Sequence, residues 1–167
     1  WNMTGGIWTD NIRRNHWSRL LPANQYLGSF STSQGMYHFG EYRGMFTVIS
    51  LGTVCERYPD PLYGAEIAAL HLVQNPDAEN ILVIGQGALP VCREFLRFPH
   101  IKQVVWATPD PAYAYELIQV LPSRLKQEIS GLVVYNGDVK DLLSLNSTDV
   151  YDLVLIHLPD PATLVLN

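Results

Sequence analysis

The stretch NILVIGQGALP at Asn80–Pro90 decides the fold. Asn80–Ile84 is an apolar run of the kind found in strands that are buried on both faces of a parallel sheet. Residues 85–90 follow at once and contain two glycines, which allow a sharp backbone turn before a helix predicted at residues 91–98. This order predicts the first βα unit of an open α/β sheet, in which the helix N-terminus offers free N–H groups to a ligand.

The strand and helix pattern continues toward the C-terminus. Further strands are predicted at Gln103–Ala107, 132–135 and 152–157, and further helices at 112–121, 124–128 and 140–145. The alternation favours right-handed βαβ connections and an open, mostly parallel, Rossmann-like sheet with helices on both faces. Because only four such strands are present, we expect the C-terminal part of the sheet to be missing and its last edge to need a cover.

The sequence before this unit has a different character. Residues 1–25 are predicted to be irregular, whereas residues 26–56 contain three segments rich in aromatic and β-branched residues, separated by glycines. Those segments predict an antiparallel β-meander with strands at 26–33, Met36–Tyr42 and Met45–Ser50. A Pro-Asp-Pro sequence then opens a helix over residues 62–74. The expected domains are therefore the segment 1–25, the meander 26–56 and a nucleotide-binding domain at 57–167.

Composition narrows the classes of function. A net charge of -5 leaves no general basic surface, so nucleic acid is not expected as a partner, whereas a polycationic ligand suits the charge. The two cysteines, Cys55 and Cys92, form neither a close pair nor a Cys/His cluster, so no metal site is predicted and a reducing compartment is favoured. No apolar run is long enough to span a membrane, and we expect a cytoplasmic location. The absence of an initial methionine suggests a piece of a longer protein.

Ligands of open α/β sheets bind beyond the carboxyl ends of the strands, and the first two loops there offer candidate binding residues. Gly85, Gln86 and Gly87 follow the first strand, but Pro90 occupies the place of the third glycine in G-x-G-x-x-G, so a plain turn is an equal alternative. Thr108 and Asp110 follow the second strand, where an acidic residue commonly accepts hydrogen bonds from ribose hydroxyls. We favour a helix-capping role for Asp110 over this contact.

The last two loops supply two further pairs. Gly137 and Asp138 follow the third strand, where the carboxylate can accept a hydrogen bond from an adenine amino group, cap the next helix, or do both. His157 and Asp160 follow the fourth strand, and a titratable pair at this position is a candidate general base. The alternative, which we weigh slightly higher for these two residues alone, is a turn-forming aspartate and an interior histidine.

Taken together, these loops resemble the motifs of the spermidine synthase (polyamine aminopropyltransferase) family over roughly residues 26–167. The family's GGGDGG motif is matched by ILVIGQGALP at 81–90, its acidic second strand end by VVWATPD at 104–110, and its YDVIIVDSSDP by YDLVLIHLPDP at 151–161. The resemblance implies a methyltransferase-like sheet after the meander. It is closest to the spermidine synthase-like domains of bacterial membrane proteins, where LPDP precedes a threonine and an asparagine.

The resemblance implies transfer of an aminopropyl group from decarboxylated S-adenosylmethionine to an amine. Family members hold the donor's amine with an aspartate where Ala88 stands here, and hold the ribose with a glutamate where Thr108 stands. His157 replaces the aspartate proposed to deprotonate the amine, and Cys55 replaces a glutamine of the meander. Three lost carboxylates predict reduced or lost activity.

Three functions stay open at this point. They are an aminopropyltransferase, a non-catalytic module that senses a polyamine or nucleoside for an attached membrane domain, and a methyltransferase that uses S-adenosylmethionine. Expected ligands are decarboxylated S-adenosylmethionine, S-adenosylmethionine or methylthioadenosine, with no tightly bound cofactor. A homodimer is also expected from the resemblance and from the uncovered last strand.

Overall fold

Two four-stranded sheets form the framework of the computed structural model, which describes residues 12–143 and 150–157. The first sheet is an antiparallel meander in the order β1-β2-β3-β4. Its strands are β1 (Tyr26–Ser31), β2 (Met36–Tyr42), β3 (Met45–Ser50) and β4 (Thr53–Tyr58). The predicted antiparallel meander is confirmed, but the three-strand count was wrong because β4 was missed.

The fourth strand has a mixed local signal. β4 reads TVCERY, in which Thr53, Val54 and Tyr58 favour a strand whereas the charged pair Glu56-Arg57 interrupts the apolar pattern. In the structure it pairs with β3, where Val48 opposes Glu56 and Thr47 opposes Arg57. The meander therefore extends two residues beyond the expected boundary at residue 56.

The second sheet is parallel throughout and has the order β7-β6-β5-β8. Its strands are β5 (Asn80–Ile84), β6 (Gln103–Ala107), β7 (Leu132–Val134) and β8 (Leu153–Ile156). Ile84 is in register with Ala107 on one side and with Ile156 on the other. The loops that follow β5, β6 and β8 consequently leave the sheet at the same level, as the predicted α/β fold requires.

Helices cover both faces of the parallel sheet. The helices are α1 (residues 12–18), α2 (Pro61–Leu72), α3 (Leu89–Leu96), α4 (Pro111–Val120), α5 (Ser123–Gln127) and α6 (Val139–Leu142), with a 3-10 turn at Ala23–Gln25. Helices α2 to α5 contribute to the main core on one face, and α6 packs on the other. The segment before residue 26 is not wholly irregular, because α1 places Trp17, which is fully buried, against Gly40 of the meander.

One hydrophobic core joins the two sheets. It combines Phe46 and Val48 of the meander with Ile81 and Val83 of β5 and Tyr113 of α4. The opposite face of the parallel sheet has a smaller core. This shared core holds the meander against the carboxyl ends of the parallel strands, where the candidate site lies. No helix within residues 12–143 or 150–157 has both the length and the apolar character needed to cross a membrane.

Candidate functional site

The glycine loop after β5 has a backbone that only glycine adopts without strain. Gly85 has φ +134° and Gly87 has φ +78°. A Cβ atom at Gly85 would lie 2.0 Å from the backbone oxygen of His157, so the loops after β5 and β8 touch directly. The indole N–H of Trp106 on β6 donates to the Gly85 oxygen at 2.8 Å and holds the loop in place. The glycines are therefore needed for close approach of two loops.

A cavity of about 360 Å³ opens beside this loop, and we name it cavity A. Its walls come from the ends of β5, β6 and β8 and from the meander. They are lined by residues that include Gln34, Tyr37, Cys55, Gly85, Gln86, Pro109, Asp110 and His157. Four residues singled out in the sequence (Gly85, Gln86, Asp110 and His157) are thus brought together here.

Asp110 is the N-cap residue of α4, but its side chain makes no capping hydrogen bond. The favoured capping role is therefore wrong for the side chain. Its Oδ2 atom accepts hydrogen bonds from Thr32 Oγ1 at 2.5 Å and from Tyr37 Oη at 3.0 Å, and Gln86 Nε2 donates to Tyr37 Oη at 3.1 Å. The Oδ1 atom is buried and has no hydrogen-bond partner in the described part of the chain. Asp110 is thus a buried carboxylate among the residues that line cavity A.

Tyr37 keeps its proton in this network. The pKa of Tyr37 is raised to about 12, mainly by burial; the hydrogen bond from Gln86 opposes this rise and the neighbouring Asp110 adds to it. A protonated phenol donates to the aspartate and accepts from the glutamine amide. The meander thus orients the acidic group that the parallel sheet contributes.

A second cavity of about 580 Å³ lies on the other side of His157 and Cys55, and we name it cavity B. It is lined by Gly52, Thr53, Val54, Cys55, Glu56, Arg57, Asp60, Tyr63, Gly87, Pro90 and His157. Thr53, Cys55 and His157 line both cavities. The two cavities therefore share part of their walls at these three residues.

His157 is held at this junction by two contacts. Its backbone N–H donates to the Ile84 oxygen at 2.7 Å, and its Nδ1 atom lies 3.2 Å from Tyr63 Oη. Burial lowers the pKa of His157, so the imidazole is neutral at pH 7. Tyr63 stays protonated because burial raises the pKa of its hydroxyl. A neutral imidazole between two cavities can accept a proton from a ligand in either of them.

Glu56 is the most unusual group of the site. It projects from β4 with 1% of its surface exposed, and its Oε2 atom accepts a hydrogen bond from the Gly87 N–H at 3.0 Å. Burial raises the pKa of Glu56 to about 8, an effect that the nearby N–H groups of Gly87, Leu89 and Arg57 partly oppose. The carboxyl group is therefore largely protonated at neutral pH.

Three other predicted residues lie outside both cavities. Thr108 is buried, and its hydroxyl donates to the Asp110 backbone oxygen at 2.6 Å. Gly137 adjoins the ring of Tyr135, and the exposed Asp138 caps α6 by accepting from the Lys140 N–H at 2.9 Å. The expected convergence of all four loops is therefore met by the loops after β5, β6 and β8 but not by that after β7. Asp160 lies outside the described residues.

Three site residues carried no motif of their own. These residues are Tyr37 and Glu56 of the meander and Tyr63 of α2. The motifs that predict the site all lie at strand ends of the parallel sheet. The Cys-Glu-Arg sequence of the meander is one indication, because a glutamate that is buried in a strand needs a polar partner. Among the described residues, no group of three His, Cys, Asp or Glu side chains could hold a metal ion.

Comparisons with known proteins find similar sequences. The chain is 30% identical over 105 residues to a polyamine aminopropyltransferase of Oceanobacillus iheyensis, a match that covers 59% of this chain and 20% of that protein. It is 26% identical over 117 residues to a polyamine aminopropyltransferase of Leptospira biflexa, which covers 70% of this chain and 41% of the relative. No protein-family model matches the chain.

Solved structures share the fold at low sequence identity. The spermidine synthase of Thermotoga maritima superposes with a TM-score of 0.64 at 13% identity, and the match covers 80% of this chain and 48% of that protein. A spermidine synthase in complex with the transition-state analogue AdoDATO gives a TM-score of 0.66 at 14% identity over 83% of this chain and 48% of that one.

These similarities support the predicted class, a spermidine synthase-like α/β protein with an N-terminal meander. The chain spans between a fifth and about half of the length of the relatives to which it is similar.

Proposed function

We propose that this chain binds the adenosyl part of decarboxylated S-adenosylmethionine, or the product methylthioadenosine, in cavity A and an amine in cavity B, with slow or no transfer between them. The observation that carries the proposal is the pair of cavities that meet at His157, Cys55 and Thr53. A volume of about 360 Å³ for cavity A is within the range of small-molecule sites. The relatives named polyamine aminopropyltransferase support the choice of ligand.

The roles of the residues in cavity A follow from their positions. The backbone of Gly85 and Gln86 faces the nucleoside, as in other glycine loops at helix N-termini. Asp110 accepts hydrogen bonds from the ribose hydroxyls through its unpartnered oxygen, which Tyr37 and Thr32 hold in place. Asp138 and Thr108 take no part in this arrangement, because they lie away from the cavity.

Transfer requires the amino group beside the sulfonium to be unprotonated, whereas a second amino group of a polyamine can stay charged. The amine nitrogen forms a bond to the propyl carbon, the carbon–sulfur bond breaks, and sulfur keeps the electron pair as neutral methylthioadenosine. The nitrogen then loses one proton, which the neutral imidazole of His157 accepts at the junction of the cavities. Asp160 is proposed to assist in orienting the amine.

Two features of the site favour binding over turnover. The N-cap residue of α3 is Ala88, which is fully buried. Because alanine has no carboxylate, the glycine loop offers none to the donor's ammonium group. The Thr108 hydroxyl is used within its own loop. Missing charge-assisted hydrogen bonds cost about 1–3 kcal/mol each, which weakens donor binding and slows the reaction. The second candidate function, a binding module without catalysis, rests on these two residues.

Calorimetry separates the candidates. The chain is titrated with decarboxylated S-adenosylmethionine, S-adenosylmethionine, methylthioadenosine and spermidine, and release of methylthioadenosine is followed by chromatography. Nucleoside binding with turnover supports the transferase, and nucleoside binding without turnover supports the binding module. Methyl transfer from S-adenosylmethionine identifies a methyltransferase, and no nucleoside binding at millimolar concentration overturns the proposal.

A matched pair of variants assigns the binding to cavity A. Asp110→Asn removes the acceptor charge and is expected to weaken methylthioadenosine binding about tenfold. Asp138→Asn changes an exposed carboxylate outside both cavities and keeps an oxygen that can cap α6. It is expected to bind as the unchanged chain does. Equal losses in the two variants would place the nucleoside elsewhere.

A further inference from the structure

Glu56 leaves one hydrogen-bonding atom unsatisfied inside the protein. Its Oε2 atom is paired with the Gly87 N–H, whereas Oε1 is enclosed and has no hydrogen-bond partner in the described chain. An unpaired buried carboxyl oxygen is costly whether the group is protonated or ionised. Glu56 is also among the residues that line cavity B, so the enclosed carboxyl group borders the wall of that cavity.

The groups around Glu56 offer no buried positive charge. Cys55 on the same strand, Cys92 on α3, Tyr63 on α2 and Tyr113 on α4 all have a pKa raised by burial, and each is neutral at pH 7. His157 across the cavity is neutral as well.

The charged residues of cavity B lie on its outer wall. Arg57 is exposed, and as the next residue along β4 it points to the opposite face of the strand from Glu56. Asp60 adds a second carboxylate to the lining of the cavity and caps α2 by accepting from the Tyr63 N–H. Among the residues that the structure describes, the buried end of cavity B therefore offers no cation beside its acidic group.

We propose that cavity B takes a primary alkylammonium group and that Glu56 selects for it by giving up its proton as the cation enters. The assignment of an amine to cavity B rests on the proposed function, whereas the role of Glu56 rests on the contacts above. The protonated carboxyl group and the ammonium ion become a carboxylate–ammonium pair, and one proton passes to the solvent.

The direction of this exchange follows from electrostatics. Burial disfavours an isolated carboxylate, and an adjacent positive charge removes that penalty. A neutral ligand of the same shape offers no such compensation and leaves Glu56 protonated. Cavity B therefore discriminates between ammonium and neutral groups by charge, with the Gly87 N–H holding the carboxylate after ionisation.

The linked proton is measured directly. Spermidine binding to the unchanged chain is followed by calorimetry at pH 7 in two buffers with different enthalpies of ionisation. We expect the observed enthalpy to differ between the buffers by the release of up to about one proton per spermidine. Spermidine binding with no dependence on the buffer overturns the proposal, and this result requires no variant to fold.

Two variants assign the proton to Glu56. Glu56→Gln keeps an oxygen that can accept from the Gly87 N–H and is uncharged, as the protonated glutamic acid is. It is expected to lose the buffer dependence and to bind spermidine about tenfold more weakly. The control Glu41→Gln changes an exposed glutamate of β2 and should keep both properties. Unchanged proton release in Glu56→Gln would also contradict the proposal.

Methylthioadenosine distinguishes this inference from the proposed function. Its binding to cavity A should be the same in Glu56→Gln as in the unchanged chain. If spermidine binding releases a proton from Glu56 but no nucleoside binds, the role of Glu56 stands and the proposed function fails. If the nucleoside binds and spermidine binding releases no proton, the reverse holds.

Discussion

Glycines with positive φ differ in their surroundings, and this difference predicts a ranked series of substitutions. Gly44 has φ +76° and open space around it, whereas a Cβ atom added at Gly87, with φ +78°, would lie 3.1 Å from His157 Nε2. A Cβ atom added at Gly85 would overlap the His157 backbone oxygen. We expect Gly44→Ala to cost about 1 kcal/mol of unfolding free energy, Gly87→Ala about 1–3 kcal/mol and Gly85→Ala the most. Urea unfolding measures the order, and equal costs would contradict the contact between the two loops.

Glu56 also predicts how stability depends on pH. Its pKa is about 8 in the folded chain and 4.5 without burial, so the folded state binds more protons between these values. The free energy of unfolding should therefore fall as pH rises from about 5 through 8 and level off about one pH unit above the folded pKa. Urea unfolding at several pH values should show this decline in the unchanged chain and a smaller one in Glu56→Gln. Parallel curves would rule out a buried, protonated Glu56.

At the scale of elements, β8 is joined to β5 by a carboxylate at the start of both strands. Asp152 Oδ2 accepts from the N–H groups of Glu79 and Asn80 at 3.0 and 2.8 Å. These hydrogen bonds lower the pKa of Asp152, so their contribution is lost only as pH falls through that lowered value.

Asp152→Ala removes the anchor of β8. We expect faster hydrogen exchange of the β8 amides, because the short strand then loses the side-chain hydrogen bonds that join its start to β5. The control is Asp77→Ala, which changes an exposed residue of the loop before β5. Unaltered exchange in Asp152→Ala would show that the ladder alone holds β8.

At the scale of the whole molecule, the meander and the parallel sheet share one core, and this predicts a single cooperative unfolding transition. Leu89→Ala, in the centre of that core, should cost about 2–5 kcal/mol and shift the signals of both sheets together. Leu62→Ala removes a largely exposed side chain and should change stability by less than about 0.5 kcal/mol. Separate transitions for Trp17 and Trp106 fluorescence would contradict a shared core.

Local sequence is sufficient to predict the strands of the parallel sheet. Asn80–Ile84 and Gln103–Ala107 were predicted with the bounds that the structure shows, because buried parallel strands need uninterrupted apolar runs and their ends are marked by glycine or a polar turn. The glycine loop and the candidate His157 were found for the same reason, since function in such sheets lies at the strand ends.

Only the tertiary structure decided which side chains reach the site. β4 pairs with β3 although it contains two adjacent charged residues, and Glu56 is buried because the chain folds back on the glycine loop. Thr108 turns into its own loop and Asp110 bonds to the meander rather than to its helix. Local sequence encodes the backbone preference of a segment, but the direction and partner of a polar side chain depend on groups that are distant along the chain.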